Sequence, residues 1–118
     1  MSWIYTPIMN ELGEYLDLAA YRQTLIASNL ANVDTPGYRT RDIDFNKEMR
    51  QAEEQTGSDA LQPRAIEVAG LMQRPDGNNV SLDRESLLLA QTQLQFRLGV
   101  ELLRQEFQEI TTAIKEGS

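Results

Sequence analysis

A chain of 118 residues with 41% hydrophobic and 25% charged side chains supports one domain at most, of ordinary soluble composition. Its 18 acidic against 11 basic residues leave a formal charge of -7, which opposes binding that depends on neutralising phosphates. Without cysteine or histidine, the chain has no disulfide, thiol nucleophile, Cys/His zinc site or Ser-His-Asp triad.

The first residues lack the basic and apolar regions of a secretory leader, and Glu11, Glu14 and Asp17 fall where the apolar stretch should lie. The expectation is a cytoplasmic protein, or one exported without a cleaved leader. Residues 1–33 form the first predicted unit, with a helix over about 8–33. Met9, Leu12, Leu16, Ala19, Gln23, Ile26, Leu30 and Val33 alternate by threes and fours, a heptad seam with one polar position. Pro7 suits a first helical turn. The helix should stop near Asn32, because Asp34-Thr35-Pro36-Gly37 signals a turn in which Gly37 takes a positive φ.

Residues 34–80 read as an irregular middle segment. It holds all but one of the prolines, and its apolar residues are scattered. Short extended pieces are predicted at Tyr38-Arg39-Thr40 and Ala65-Ile66-Glu67-Val68. A short helix is predicted over Asp44 to Gln55 with Phe45 and Met49 on one face. A solvated loop is predicted at 53–59, and a second turn at Arg74-Pro75-Asp76-Gly77-Asn78-Asn79.

Residues 81–118 form the last unit, with a helix over about 82–116. Ser81 is its expected N-cap, and Asp83 and Glu85 sit where the helix dipole favours anions. Leu89, Gln93, Phe96, Val100, Leu103, Phe107, Ile110 and Ile114 make a second heptad seam, flanked by a stripe of Leu87, Leu94, Leu98 and Leu102. That face is wider than one antiparallel helix can cover. The expected fold is mainly α: long terminal helices paired as an αα-hairpin or coiled-coil bundle, with a small middle segment of loops and short β pieces.

Catalysis has little to stand on. Asp42 and Asp44 are close in sequence, but i and i+2 carboxylates need not converge, and no rigid-walled pocket is expected. Asp42, Asp44, Asn46 and Glu53 match part of a calcium loop, but Lys47 occupies the position that requires Gly. Asn79-Val80-Ser81 is formally a glycosylation sequon and is better explained as turn plus helix cap. No enzyme, metal or cofactor is expected. A generic two-helix hairpin is the simplest reading, and a helical adaptor or export chaperone would share the size and acidity.

Three blocks go further. Ser28-Asn29-Leu30-Ala31-Asn32-Val33-Asp34-Thr35-Pro36-Gly37-Tyr38 resembles the signature of the flagellar axial family of rod, hook and hook-associated proteins. Arg39-Thr40-Arg41-Asp42-Ile43-Asp44-Phe45 and Asp76-Gly77-Asn78-Asn79-Val80-Ser81-Leu82-Asp83-Arg84-Glu85 narrow the resemblance to the basal-body rod branch. The sister rod protein FlgC shares the first motif and is the nearest alternative.

The resemblance implies a structural subunit of the proximal rod in the periplasm, exported by the type III apparatus. Its terminal helices would assemble into the hollow drive shaft. Implied partners are further copies of itself, FlgC, the rod base protein FliE, the MS-ring protein FliF and, in transit, the export apparatus. Within that reading, Ser28, Asn29, Leu30, Asn32, Asp34, Thr35, Pro36, Gly37 and Tyr38 set the turn out of the first helix. Leu12, Leu16, Ile26, Leu30, Leu94, Leu98, Leu103, Phe107 and Ile110 pack subunits. Arg39, Arg41, Asp42 and Asp44 are candidates for polar contacts between subunits. Terminal helices frayed in the free chain and ordered on assembly are also expected.

Overall fold

A computed structural model of the chain describes residues 6–54 and 63–117. Helix α1 (Pro7–Ala31) and helix α3 (Leu82–Glu116) run antiparallel as a hairpin. Between them lie strand β1 (Arg41–Asp42), helix α2 (Phe45–Glu54) and strand β2 (Ile66–Glu67). The molecule is a rod of 68 × 27 × 19 Å.

Local chemistry accounts for the boundaries. Thr6 caps α1 by accepting from Met9 N at 3.1 Å, and Pro7 occupies the first turn, where its missing N–H costs nothing. Ser81 caps α3 in the same way through Arg84 N at 3.2 Å. Asp44 caps α2 through Lys47 N at 3.1 Å. At the end of α1, Asn32 is the C-cap, and Gly37 takes φ +75° in the turn closed by Tyr38 N to Thr35 O at 3.2 Å.

The strands pair antiparallel, Arg41 opposite Glu67 and Asp42 opposite Ile66. The first strand therefore begins three residues later than the extended piece predicted at Tyr38. Tyr38 and Thr40 are instead held to the chain entering α3, through Asn79 N to Tyr38 O at 3.3 Å and Thr40 N to Asn79 Oδ1 at 2.6 Å. The loop predicted at 53–59 lies largely outside the described residues.

A small core forms where α2 and the strands fold over α1. Leu18, Leu25 and Ile43 are buried, with Tyr21, Phe45, Met49 and Ala65 packed around them. Tyr15 meets Phe45 edge to face, ring centroids 5.4 Å apart. Leu18 and Leu25 lie beside the predicted α1 seam, because α1 is covered on two sides, by α3 and by the middle segment.

The α3 seam differs from the one predicted. Val100, Phe107 and Ile114 are exposed, as are Leu94 and Leu98 of the neighbouring stripe. The residues turned toward α1 are Glu85, Thr92 and Gly99, all buried, with Glu106 half-buried beyond them. They repeat every seven positions, yet none is a large apolar residue, so a search for hydrophobic period passes over them. Leu89, Phe96, Leu103 and Ile110, from the predicted set, are half-buried at its side. The reason is steric at Gly99, where an added Cβ would stand 2.7 Å from Leu16 Cδ2. It is polar at both ends, where Asn29 donates to Glu85 Oε1 at 2.7 Å and Thr6 Oγ1 to Glu106 Oε1 at 3.2 Å.

Candidate functional site: the polar junction and the exposed helix faces

The three motif blocks meet at one end of the hairpin. Asn29, on the last turns of α1, is wholly buried and uses its amide in four bonds. Its Nδ2 donates to Arg41 O at 2.8 Å and to Glu85 Oε1 at 2.7 Å. Its Oδ1 accepts from Tyr38 Oη at 2.9 Å and from Arg41 N at 3.1 Å. One side chain thus ties the end of α1 to the turn after it, to β1 and to the start of α3. A buried amide in this setting is costly to leave unpaired, so its position is strongly specified.

A charged cluster adjoins it. Arg22 Nε and Nη2 donate to the two oxygens of Asp42, at 2.9 and 3.0 Å. Arg84 Nη2 donates to Asp42 Oδ2 at 2.8 Å, and its Nη1 to Glu85 Oε2 at 2.7 Å. Burial would push the Asp42 carboxyl up, but the bonds from Arg22, the Ile43 N–H, the Arg22 charge and Arg84 together hold it below the usual carboxylate range. Two arginines from opposite helices therefore converge on a carboxylate from the middle segment.

The second turn completes the junction. Asn78, also fully buried, donates through Nδ2 to Asn32 O and Thr35 O, both at 2.9 Å, and accepts from Val80 N at 2.8 Å. Arg74 Nη2 donates to Val33 O. Gly37 N donates to Asp76 O at 2.9 Å, and the facing Gly77, with φ +88°, comes so close that a Cβ would stand 3.3 Å from Gly37 Cα. The two turns are thus stitched back to back.

The other motif residues take smaller parts. Asn32 Nδ2 donates to Ser28 O at 2.8 Å within its own helix end, and Thr35 Oγ1 donates to Asn32 Oδ1 at 3.0 Å. Ser28 Oγ lies 3.2 Å from Tyr38 Oη. Leu30 is half-buried, and Asp34 and Pro36 are exposed.

Of the proposed inter-subunit polar residues, Asp42 is spent inside the chain, its side chain only 8% exposed. Asp44 caps α2, and Arg39 Nη1 donates to Gln73 Oε1 at 2.8 Å. Arg41 is exposed. Both Asp42 oxygens are taken up by Arg22 and Arg84. Sequence reasoning missed Arg22, Thr40, Asn78, Asn79, Arg84 and Glu85 as contributors. The usable signal was several polar residues crowded into otherwise turn-like blocks, but no periodicity pairs an arginine at 22 with an aspartate at 42.

The second feature is the outside of the hairpin. Leu87 (70% exposed), Leu94 (67%) and Leu98 (53%) run along one flank of α3, with Leu102 continuing the line. Val100, Phe107 and Ile114 are exposed on the other flank. Leu12, Leu16 and Ile26 of α1 are turned inward to varying degrees, with Ile26 buried. A further groove between α1, α2 and α3 is lined by Ile8, Leu12, Tyr15, Met49, Leu98 and Leu102. Burial there pushes the Tyr15 hydroxyl up. Among the described residues no cluster of potential metal ligands occurs, and no helix is long and apolar enough to cross a membrane.

The family model described as "Flagella basal body rod protein" matches residues 16–39, which carry the end of α1 and the first turn. The chain is 33% identical to flagellar basal body rod protein FlgB of Salmonella typhimurium, an alignment covering 89% of this chain and 91% of that protein. It is 31% identical to FlgB of Escherichia coli K12 over the same shares, 89% and 91%. It is 28% identical to FlgB of Borrelia hermsii, over 86% of this chain and 90% of that one.

Proposed function

The chain belongs to the FlgB family of flagellar basal body rod proteins and is a structural subunit of the flagellar rod, and from that premise we propose that it is a proximal-rod subunit assembled through the outward faces of its terminal helices. The observation that supports this is the row Leu87, Leu94, Leu98 and Leu102. Fully burying a leucine contributes roughly 1.5–3 kcal/mol. A hairpin that turns these leucines outward leaves their apolar area uncovered by its own described residues. Packing against neighbouring subunits would cover it.

The division of labour follows. The polar junction around Asn29 and Asp42 fixes the angle between the helices, and the pieces 1–33 and 81–118 act together as one axial unit carrying 34–80. Subunit packing uses Leu94, Leu98, Phe107 and their neighbours. Of the four polar candidates the exposed Arg41 is the first to reach a neighbour, since Asp42 is engaged by two arginines, Asp44 caps α2 and Arg39 bonds Gln73. The neighbours proposed are further copies, FlgC, FliE and FliF, reached in the periplasm after passage through the type III export apparatus. The part played is mechanical, with no catalysis.

The test is made in the flagellated source cell. Basal bodies are extracted in detergent and blotted for the tagged protein. It should co-purify with rod-containing fractions, and a Leu94→Ser/Leu98→Ser variant should not. A protein found only in the soluble fraction of normally flagellated cells would overturn the reading and favour a cytoplasmic adaptor.

A further inference from the structure

The groove between α1, α2 and α3 opens beside the start of α1. It has a volume of about 290 Å³, an apolar lining drawn from all three helices, and Glu11 among its lining residues. Ile8, Leu98 and Leu102 on its wall remain 54%, 53% and 41% exposed. Residues 1–5, which lie outside the described residues, join the helix next to it, for Ile8 is two positions past the cap Thr6.

What the sequence ties to the groove selects its occupant. The tethered residues include Trp3, Ile4 and Tyr5, and no side chain in 1–5 is charged, so the segment enters without desolvating an ion. Thr6 has extended backbone angles, φ -86° and ψ 163°. Apolar residues just before such a cap often fold back on the first turns of the helix they precede. Three extended residues span up to about 10 Å. Leu12 stands about 9 Å beyond Thr6 along the helix axis. A segment tethered this closely meets its site at an effective concentration of about millimolar order, ahead of any separate chain in dilute solution.

We infer that in the free chain Trp3, with Ile4 and Tyr5 beside it, folds back into this groove, its indole against Leu12, Leu98 and Leu102. A buried indole needs an acceptor for its N–H, and the Glu11 carboxylate is the one the lining provides. The segment then shields Leu98 and Leu102, the inner part of the leucine row, until a neighbour competes for them. The inference concerns the free chain and does not depend on the rod reading.

The experiment uses the full chain, in which Trp3 is the only tryptophan and so reports on this segment alone. At micromolar concentration its emission should be blue-shifted from that of N-acetyltryptophanamide, and acrylamide should quench it several-fold more slowly. Both signals should be unchanged on serial dilution. Leu98→Glu/Leu102→Glu places charge at two exposed positions of the groove wall. It should return both signals to those of the free amide while helical circular dichroism is kept. Leu87→Glu, farther along the same flank, should behave as the parent. In 15N spectra Trp3→Ser should move the amides of Ile8, Leu12, Met49 and Leu98 and leave those around Asn29 in place.

Parent emission and quenching equal to those of the free amide would overturn the inference. So would protection that survives Leu98→Glu/Leu102→Glu, or Trp3→Ser shifts confined to its sequence neighbours, since the indole would then lie elsewhere. Protection lost on dilution or in Leu87→Glu would make a second copy the occupant and overturn it too. These readouts come from the purified chain, so they hold or fail separately from the blot of basal bodies.

Discussion

Replacing Asn29 by alanine is the sharpest test of the junction. The side chain makes four hydrogen bonds from a position with no solvent exposure. The bond to the buried Glu85 carboxylate is charge-assisted and contributes about 2 kcal/mol, and the three neutral bonds about 0.5–1 kcal/mol each. Arg41 N–H and C=O lie near the surface, so water replaces part of their loss. The expected cost is about 4 kcal/mol, against a total of roughly 0.05–0.15 kcal/mol per residue for a domain. Urea unfolding followed by helical circular dichroism measures it, and the melting midpoint should fall by more than ~10 °C. Asn32→Ala is the control, because that amide bonds only within its own helix end and to Thr35, and it should cost under about 1 kcal/mol. If the two variants are destabilised equally, Asn29 is an ordinary helix-end residue and the junction argument fails.

Other outcomes follow from the same geometry. Asp42→Asn breaks a partly buried pairing with two arginines and should cost about 2–3 kcal/mol at neutral pH. Because the folded Asp42 titrates below its ordinary value, its contribution is complete above about pH 4 and disappears as pH falls through the lowered folded value. An acid titration of the parent should therefore show an unfolding step in that window that the variant lacks. Gly77→Ala should cost about 1–3 kcal/mol, since its φ is +88° and its Cβ would press on Gly37. Gly13→Ala, with nothing within 4 Å, should instead stabilise α1 by nearly ~1 kcal/mol, and parallel thermal melts separate the two. Hydrogen exchange on the free chain should be fastest past Glu106 in α3 and slowest around Asn29 and Leu18. Uniform protection along α3 would show that its far end needs no neighbour to be ordered.

The helices were legible because their caps are spelled out locally. Thr6-Pro7 and Ser81 open α1 and α3 within a residue of the sequence-based limits, and Pro36-Gly37 closes the first turn as its composition dictates. The α1 seam was legible too, since Met9, Ala19 and Ile26 are both apolar and buried. The α3 seam was legible only in part. Of the predicted seam, Leu89, Phe96, Leu103 and Ile110 are half-buried, but Val100, Phe107 and Ile114 are exposed, and the fully buried positions are not apolar enough for hydrophobic period to find. Glu85, Thr92 and Gly99 reveal themselves only once Asn29 and Leu16 face them. For the same reason Asp42 looked like a surface charge: Arg22 and Arg84 lie 20 and 42 positions away, and only the fold brings them to it.

The back-to-back turns at Gly37 and Gly77 give the middle of the chain an unusual freedom. The polypeptide departs from the hairpin and returns to it at one place, clamped by Gly37 N to Asp76 O at 2.9 Å and by Asn79 across Thr40. Beyond that closed neck, α2 and the strands fold back over α1. Lengthening such a loop adds entropy only as the logarithm of its size, about 0.6 kcal/mol per doubling. A guest module spliced in place of 46–64, which keeps Arg41 and Asp42 on Asn29, Arg22 and Arg84, should thus leave the hairpin intact if it replaces the cover that Met49 gives the core around Leu18. The architecture is a handle with an exchangeable head.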